Sequence, residues 1–169
     1  MFANRISQTL HDEHRATIAL MERLERAITR RQPINVADSE GRRLLEDLAA
    51  AIEADTLRHF DFEENELFTL FDSVGDQLIG DHLTEEHSFM RPLGEQLVTL
   101  ARSAAAGGFD TDSWHAFSRA GAELVQRMVV HVQKEEMALL PLLDQTLDDA
   151  TEARLLDAYL GTAPNATAS

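Results

Sequence analysis

Apolar residues recur at steps of three and four along most of the chain, and this period places them on one face of an α-helix. Four long runs of this kind are separated by breaks at Pro33 and Asn35, near residues 73–76, and at 107–108, a Gly-Gly pair. No segment keeps the polar–apolar alternation of a β-strand. The pattern therefore predicts an all-α fold, an up-down-up-down antiparallel four-helix bundle with short connections.

Local signals refine the helix ends. Residues 110–112, Asp-Thr-Asp, are N-cap candidates for the fourth helix. Proline has no backbone N–H, so Pro92 is expected to kink the third helix shortly after His87, and Pro141 to bend or end the fourth. A short extra C-terminal helix is predicted around 151–160, and residues 161–169 are predicted to form a disordered tail.

Length and composition limit the class of protein. The 169 residues fit one domain, placed at residues 1–160. The formal net charge of -15 repels phosphate backbones and anionic lipid, so neither nucleic acid nor membrane is an expected partner. The chain has no cysteine, which excludes disulfides and thiolate metal sites. It shows no secretory signal and no membrane-spanning run, so a cytoplasmic location is the expectation.

The chain resembles itself at a shift of 72 to 73 residues. Each half holds a helix with one inward His, followed by a helix with a His-x-x-x-Glu motif. The residues of this repeat are His14, His59 and Glu63 in the first half, and His87, His131 and Glu135 in the second. Because residues i and i+4 share a helix face, each motif presents an imidazole and a carboxylate side by side.

These polar residues interrupt apolar stripes, which places carboxylates in the core. A buried, unpaired carboxylate is costly, and a metal ion offsets that cost by taking imidazole nitrogen and carboxylate oxygen directly. Such ligands suit iron, manganese or zinc. Six ligands are too many for one tetrahedral zinc, and they suit two adjacent ions bridged by both carboxylates. The alternative is a metal-free bundle with His–Glu pairs on solvated faces.

Four motifs carry a resemblance to a known family. They are Leu10-His-Asp-Glu-His14, His59-Phe-Asp-Phe-Glu63-Glu64, Glu85-Glu-His87-Ser-Phe-Met-Arg91 and His131-Val-Gln-Lys-Glu-Glu-Met-Ala-Leu-Leu-Pro141. As a set they resemble the hemerythrin-like, HHE cation-binding family over roughly residues 10–145. The resemblance implies a four-helix bundle holding two iron ions in a non-haem di-iron centre with an oxo or hydroxo bridge. By position, the implied ligands are His14, His59, Glu63, His87, His131 and Glu135, with Glu63 and Glu135 as the bridges.

One position departs from the oxygen-carrying members of that family. They have a second His one turn before the third-helix ligand, and this chain has Leu83 there. The expected result is a more open second iron, or one whose open position is filled by solvent, with access at Leu83. The neighbouring His82 points away on a regular helix and reaches the centre only through a π-bulge. The departure disfavours simple oxygen carriage and favours peroxide, dioxygen or nitric oxide reacting at the open position.

Several other residues are weaker candidates. The sequence leaves open whether His82, His11, Glu64 or Glu136 completes the second metal site, as an extra ligand or by a hydrogen bond to a ligand imidazole. His115 is expected on the surface. Trp114 and Tyr159 show no site context.

Three functional interpretations follow. The first is a non-haem di-iron protein that binds or reacts with dioxygen or peroxide, in a catalase-like or peroxidase-like manner. The second is a non-catalytic module of the same fold that senses or stores oxygen, nitric oxide or iron. The third is a metal-free helical interaction protein. The sequence decides neither between turnover and binding nor among iron, manganese and zinc, and it gives no oligomeric state.

Overall fold

A computed structural model describes residues 2–70 and 77–162, and this part of the chain is all-helical, as predicted. It contains five helices, here named α1 to α5 in chain order. Helix α1 is Arg5–Thr29, α2 begins with Ser39–Ala51 and extends to residue 70, α3 is Gln77–Gly107, α4 begins with Thr111–Lys134 and extends to residue 146, and α5 is Asp149–Thr162. The predicted break at residues 73–76 lies outside the described residues.

Three segments of these helices have π-helical rather than α-helical hydrogen bonding. They are Ile52–Thr56 and Glu63–Leu67 in α2, and Glu135–Leu139 in α4. A π-helical turn fits one extra residue into a helix and often occurs at functional sites. Helical periodicity did not indicate these turns, because each is only one turn long within a continuous helix.

The helix ends follow the capping chemistry of the sequence. Asp110 caps α4, as predicted, by accepting a hydrogen bond from the Ser113 N–H, and the Ser113 side chain bonds back to the Asp110 backbone. At the end of α3, Gly108 has a positive φ of 81° and donates its N–H to the Ala104 carbonyl. This left-handed conformation favours glycine and terminates the helix.

Two prolines, Pro92 and Pro141, lie inside helices, and the sequence predicted that each would disturb its helix. Pro141 does not end α4, which continues as Leu140–Thr146. The π-helical segment Glu135–Leu139 lies directly before this stretch, and its hydrogen bonding already departs from the α-helical pattern there. Pro92 lies inside α3, which runs without interruption to Gly107. The kink after His87 stays a prediction.

The C-terminal helix was predicted nearly correctly. Helix α5 begins two residues before the predicted span and ends two residues after it. Residues 161 and 162 are therefore helical rather than part of a tail, and residues 163–169 lie outside the described residues. No described helix is both long enough and apolar enough to cross a lipid bilayer.

The helices bury two separate apolar clusters. Helix α1 packs against α4, α4 against α3, and α3 against α2, with a smaller contact between α1 and α2, while α5 packs on α1. The larger cluster contains Met21 and Phe117, and the smaller contains Leu10 and Tyr159. Along α1, His14 lies between the two clusters. The predicted polar residues thus form a layer that crosses the core.

Candidate metal centre

The structure brings together all six residues that the internal repeat indicates. Each of them is buried, and both glutamates are completely so. Their nitrogen and oxygen atoms form two groups, and within each group the atoms lie within 4.8 Å of one another. The first group is His14, His59, Glu63 and Glu135, and the second is His87, His131, Glu63 and Glu135. Both carboxylates therefore belong to both groups, as bridging ligands must.

Glu63 joins the two groups through its two oxygens. Its Oε1 atom lies 3.1 Å from His59 Nε2, and its Oε2 atom lies 3.4 Å from His87 Nε2. Within the His-x-x-x-Glu motif the α-helical bond is kept, because the Glu63 N–H donates to the His59 carbonyl. The i, i+4 geometry expected from the sequence is therefore present, and the π-helical turn begins only at Glu63 itself.

Glu135 repeats this arrangement in the second half of the chain. Its Oε1 atom lies 2.9 Å from His131 Nε2, and its Oε2 atom lies 3.1 Å from His14 Nε2. The Glu135 N–H donates to the His131 carbonyl, and a π-helical turn again begins at the glutamate. Each glutamate thus faces one imidazole from each group.

A second carboxylate lies behind each imidazole. The Nδ1 atom of every one of the four rings is within 3.1 Å of a glutamate oxygen outside the central layer. The pairs are His14 with Glu136, His59 with Glu13, His87 with Glu64, and His131 with Glu86. These contacts hold a proton on Nδ1 and leave Nε2 to face the centre, which is the arrangement of metal-ligating histidines.

The buried acceptor atoms of the centre lack hydrogen-bond donors within the described part of the chain. Among the described residues, neither oxygen of Glu63 or Glu135 has a hydrogen-bond partner. The Nε2 atoms also approach each other in pairs, at 3.2 Å between His14 and His59 and at 3.0 Å between His87 and His131. Buried acceptors without donors are costly. The donor set therefore fits positive charge between the rings, such as bound metal ions would supply.

The electrostatics of the centre lead to the same conclusion. Burial lowers the pKa of His131, but the negative charges of Glu135 and Glu63 and the contact with Glu86 together outweigh burial and raise that pKa to about 9. Burial likewise opposes the charged form of His59, and Glu63 and Glu13 raise its pKa well above the ordinary value. Burial raises the pKa of Glu135, yet the imidazoles hold it well below its usual range. Protons compete with metal ions for this centre.

The two groups differ in their surroundings. The His87 ring stacks on Phe60 with centroids 3.9 Å apart, and Phe68 lies on it at 5.9 Å. A small cavity adjoins His14 and His59, and it is large enough for a water-sized molecule. The cavity also borders Phe60, His131 and Glu135, so it reaches both groups of donors, whereas the closest ring stacking is on His87.

The expected opening at Leu83 is not where this cavity lies. Leu83 is completely buried and belongs to the smaller apolar cluster, beside Leu10 and Leu139. Leu83 itself therefore gives no exposed path to the centre, and the more open second ion stays a prediction. The small cavity described above lies beside His14, His59 and His131.

The weaker candidates lie around the centre rather than in it. Glu64 and Glu136 contact the Nδ1 atoms of two of the imidazoles in the centre, and His11 contacts Glu136 at 2.8 Å. His82 is exposed and bonds Lys134, so no π-bulge turns it inward. His115 is exposed, as expected, and Trp114, for which no site was indicated, packs on Phe109 and Phe117.

Three residues of the surroundings were missed from the sequence. Glu13 and Glu86 support the rings of His59 and His131, and they directly precede the repeated His14 and His87, so the repeat itself held the signal. Tyr159, which showed no site context in the sequence, donates its hydroxyl to Glu13. No local pattern marks Tyr159, because its contact joins helices at opposite ends of the chain.

Comparison with known proteins gives one family. A family model described as the hemerythrin HHE cation binding domain matches residues 5–143, which is most of the chain. Neither the curated proteins nor the solved structures gave a significant match. The matched span contains all six residues of the centre and ends before α5.

Proposed function

Since the chain belongs to the hemerythrin HHE cation-binding family, we propose that it is a non-haem di-iron protein that binds or reacts with dioxygen or peroxide. The observation that carries this proposal is the sharing of Glu63 and Glu135 by two groups of buried donors. Two iron ions would supply the redox chemistry that dioxygen and hydrogen peroxide require. Nitric oxide is a further small ligand of this chemistry, and manganese or zinc are the alternative metals for these donors.

The chain's own residues have distinct roles in this proposal. His14 and His59 would hold one ion, and His87 and His131 the other, with Glu63 and Glu135 bridging both. The glutamates on the Nδ1 side fix the four rings and raise their basicity. The apolar clusters on both sides exclude bulk water, and the small cavity beside His14 and His59 limits the ligand to a few atoms.

The proposal includes the up-down-up-down arrangement of the first four helices. Helix α1 enters the smaller apolar cluster first and the larger one later, through Leu10 and then Met21. Helix α4 meets the clusters in the opposite order, with Met128 before Leu139. This alternation supports neighbouring helices that run antiparallel.

The first experiment measures iron per chain by elemental analysis, on untagged protein purified without chelator. We expect about two irons per chain, and a Glu63→Ala variant that loses them. Glu46→Ala is the matched control, because Glu46 is exposed on the same helix and touches none of the centre. A wild-type chain that takes up no metal after reconstitution with ferrous iron would refute the proposal and leave a metal-free helical interaction protein.

The second experiment separates turnover from binding. Iron-loaded protein is mixed with hydrogen peroxide, and the decay of peroxide is followed against the Glu63→Ala variant. Decay that depends on Glu63 indicates a catalase-like or peroxidase-like reaction. The alternative is a binding module for dioxygen or nitric oxide, and stoichiometric binding without peroxide decay would select it.

A further inference from the structure

Helix α5 lies beyond the residues that the family model matches, yet it reaches the candidate metal centre. Tyr159 of α5 is 1% exposed. Among the described residues, it is the largest of the completely buried side chains. Its hydroxyl donates to Glu13 Oε2, and the same oxygen lies 3.1 Å from Nδ1 of His59. A continuous chain of contacts therefore leads from the C-terminal helix to one imidazole of the centre.

The carboxylate of Glu13 is held on both oxygens. Oε2 takes the contacts from Tyr159 and His59, while Arg58 donates to Oε1 at 3.0 Å. The position of this carboxylate relative to His59 therefore depends on the phenol and on the guanidinium.

Packing fixes the phenol in turn. The Tyr159 ring meets Phe62 edge-on at 4.6 Å, and the Arg58 guanidinium lies over its face at 4.2 Å from the centroid. Arg154 of α5 also pairs at 2.7 Å with Glu66, which lies in the π-helical turn that begins at Glu63. Helix α5 therefore contacts the support behind His59 and, at the surface, the turn that follows the bridging glutamate Glu63.

The other half of the chain lacks this support. There Glu86 takes the place of Glu13 behind His131, and its partner is Lys134, which also bonds the exposed His82. A flexible, half-exposed ammonium restrains a carboxylate less than a buried phenol does. The two metal positions are thus unequal in how firmly their imidazoles are held.

We propose that Tyr159 is a positioning residue which orients His59 through Glu13, so that metal binding at His14 and His59 and the docking of α5 stabilise each other. This inference rests on the proposed metal centre. Coupling of this kind is reciprocal: if α5 strengthens metal binding, metal binding must strengthen the docking of α5 by the same factor. A domain that ended with α4 would have a weaker first metal position.

The test uses the full chain and Co²⁺ alone as the probe. Calorimetric titration gives the stepwise dissociation constants, and the visible spectrum of Co²⁺ reports the ligand field at the ion. Tyr159→Phe keeps the ring and removes only the hydroxyl. Supporting residues of metal ligands typically contribute about 10–100-fold in affinity, and since Arg58 still holds Glu13 we expect about tenfold weaker binding in one step, with an altered spectrum.

Two further variants make the test specific. Glu13→Gln removes the carboxylate itself and should weaken the same step at least as much. Leu160→Ala changes an exposed neighbour on α5 and should leave both steps and the spectrum unchanged. A purely structural role of Tyr159 would lower stability without changing the spectrum, and that result overturns the proposal.

Hydrogen exchange provides the reciprocal measurement. Loading wild-type protein with Co²⁺ should slow amide exchange in α5, and Tyr159→Phe should lose most of that protection. Equal affinity and equal protection in wild type and Tyr159→Phe would overturn the inference while leaving the metal centre intact. If wild-type protein binds no metal, the proposed function fails first and the inference falls with it.

Discussion

The stability of the metal-free protein should fall as the pH rises from about 6.5 to 9. The pKa of His131 is raised to about 9 in the folded protein, against an ordinary value of 6.5. A group whose folded pKa is raised contributes stability below its unfolded pKa, and this contribution is lost as the pH passes through the folded value. The difference corresponds to about 3 kcal/mol for His131, whose side chain is almost completely buried.

Other imidazoles of the centre shift in the same direction. Burial opposes protonation of His14 and His59, but neighbouring glutamates raise the pKa of both. Their protonated forms therefore also stabilise the folded, metal-free chain at low pH. A bound metal displaces these protons, so metal affinity should rise over the same pH range in which metal-free stability falls.

The assay is urea unfolding of chelator-treated protein at intervals between pH 6 and 9.5, followed by circular dichroism. We expect the free energy of unfolding to fall by about 3 kcal/mol or more in wild type. His131→Gln should remove the share of His131 and leave the shares of His14 and His59, whereas His115→Gln, at an exposed position, should retain the whole dependence. A stability that is flat or rises over this range would refute the electrostatic account of the centre.

Three other perturbations have definite expected outcomes. Glu135→Ala should abolish metal binding, so metal at 100 times its dissociation constant should raise the free energy of unfolding of wild type by about 2.7 kcal/mol and leave that of the variant unchanged, as thermal unfolding with and without metal measures. Phe60→Leu should lose the ring stacked on His87 and cost about 1 kcal/mol in urea unfolding, with both metal ions retained by elemental analysis; loss of an ion would contradict this. Asp110→Ala should remove the capping box with Ser113 and lower stability by about 1 kcal/mol, and any change in metal content would show that the cap is not independent of the centre.

Much of the fold and of the candidate centre was predictable from the sequence. The period of the apolar residues is a local property, and it gave the helices because each helix buries one face. The repeat at 72 to 73 residues singled out His59 with Glu63 and His131 with Glu135, and the i, i+4 geometry of both pairs is present. These features depend on residues within one turn of each other.

The sequence failed where the outcome depends on how helices meet. Leu83 was expected to leave access to the second ion, but its side chain is completely buried in the smaller apolar cluster. Pro141 was expected to bend or end α4, and the helix does not end there, because it continues to Thr146 after the π-helical turn Glu135–Leu139. One-turn changes in hydrogen bonding and the filling of a core are decided by neighbouring elements, which a local pattern does not contain.

The sequence by itself determined the helices, their N-cap at Asp110 and the six residues that meet at the centre. Only the tertiary structure decided which carboxylate supports which imidazole, where the cavity lies, and that Tyr159 reaches Glu13 from a helix 146 residues further along the chain. The physical reason is distance along the chain. Periodicity and capping arise from bonds within a turn. The contacts with Tyr159 form only when α5 docks on the packed helices α1 to α4.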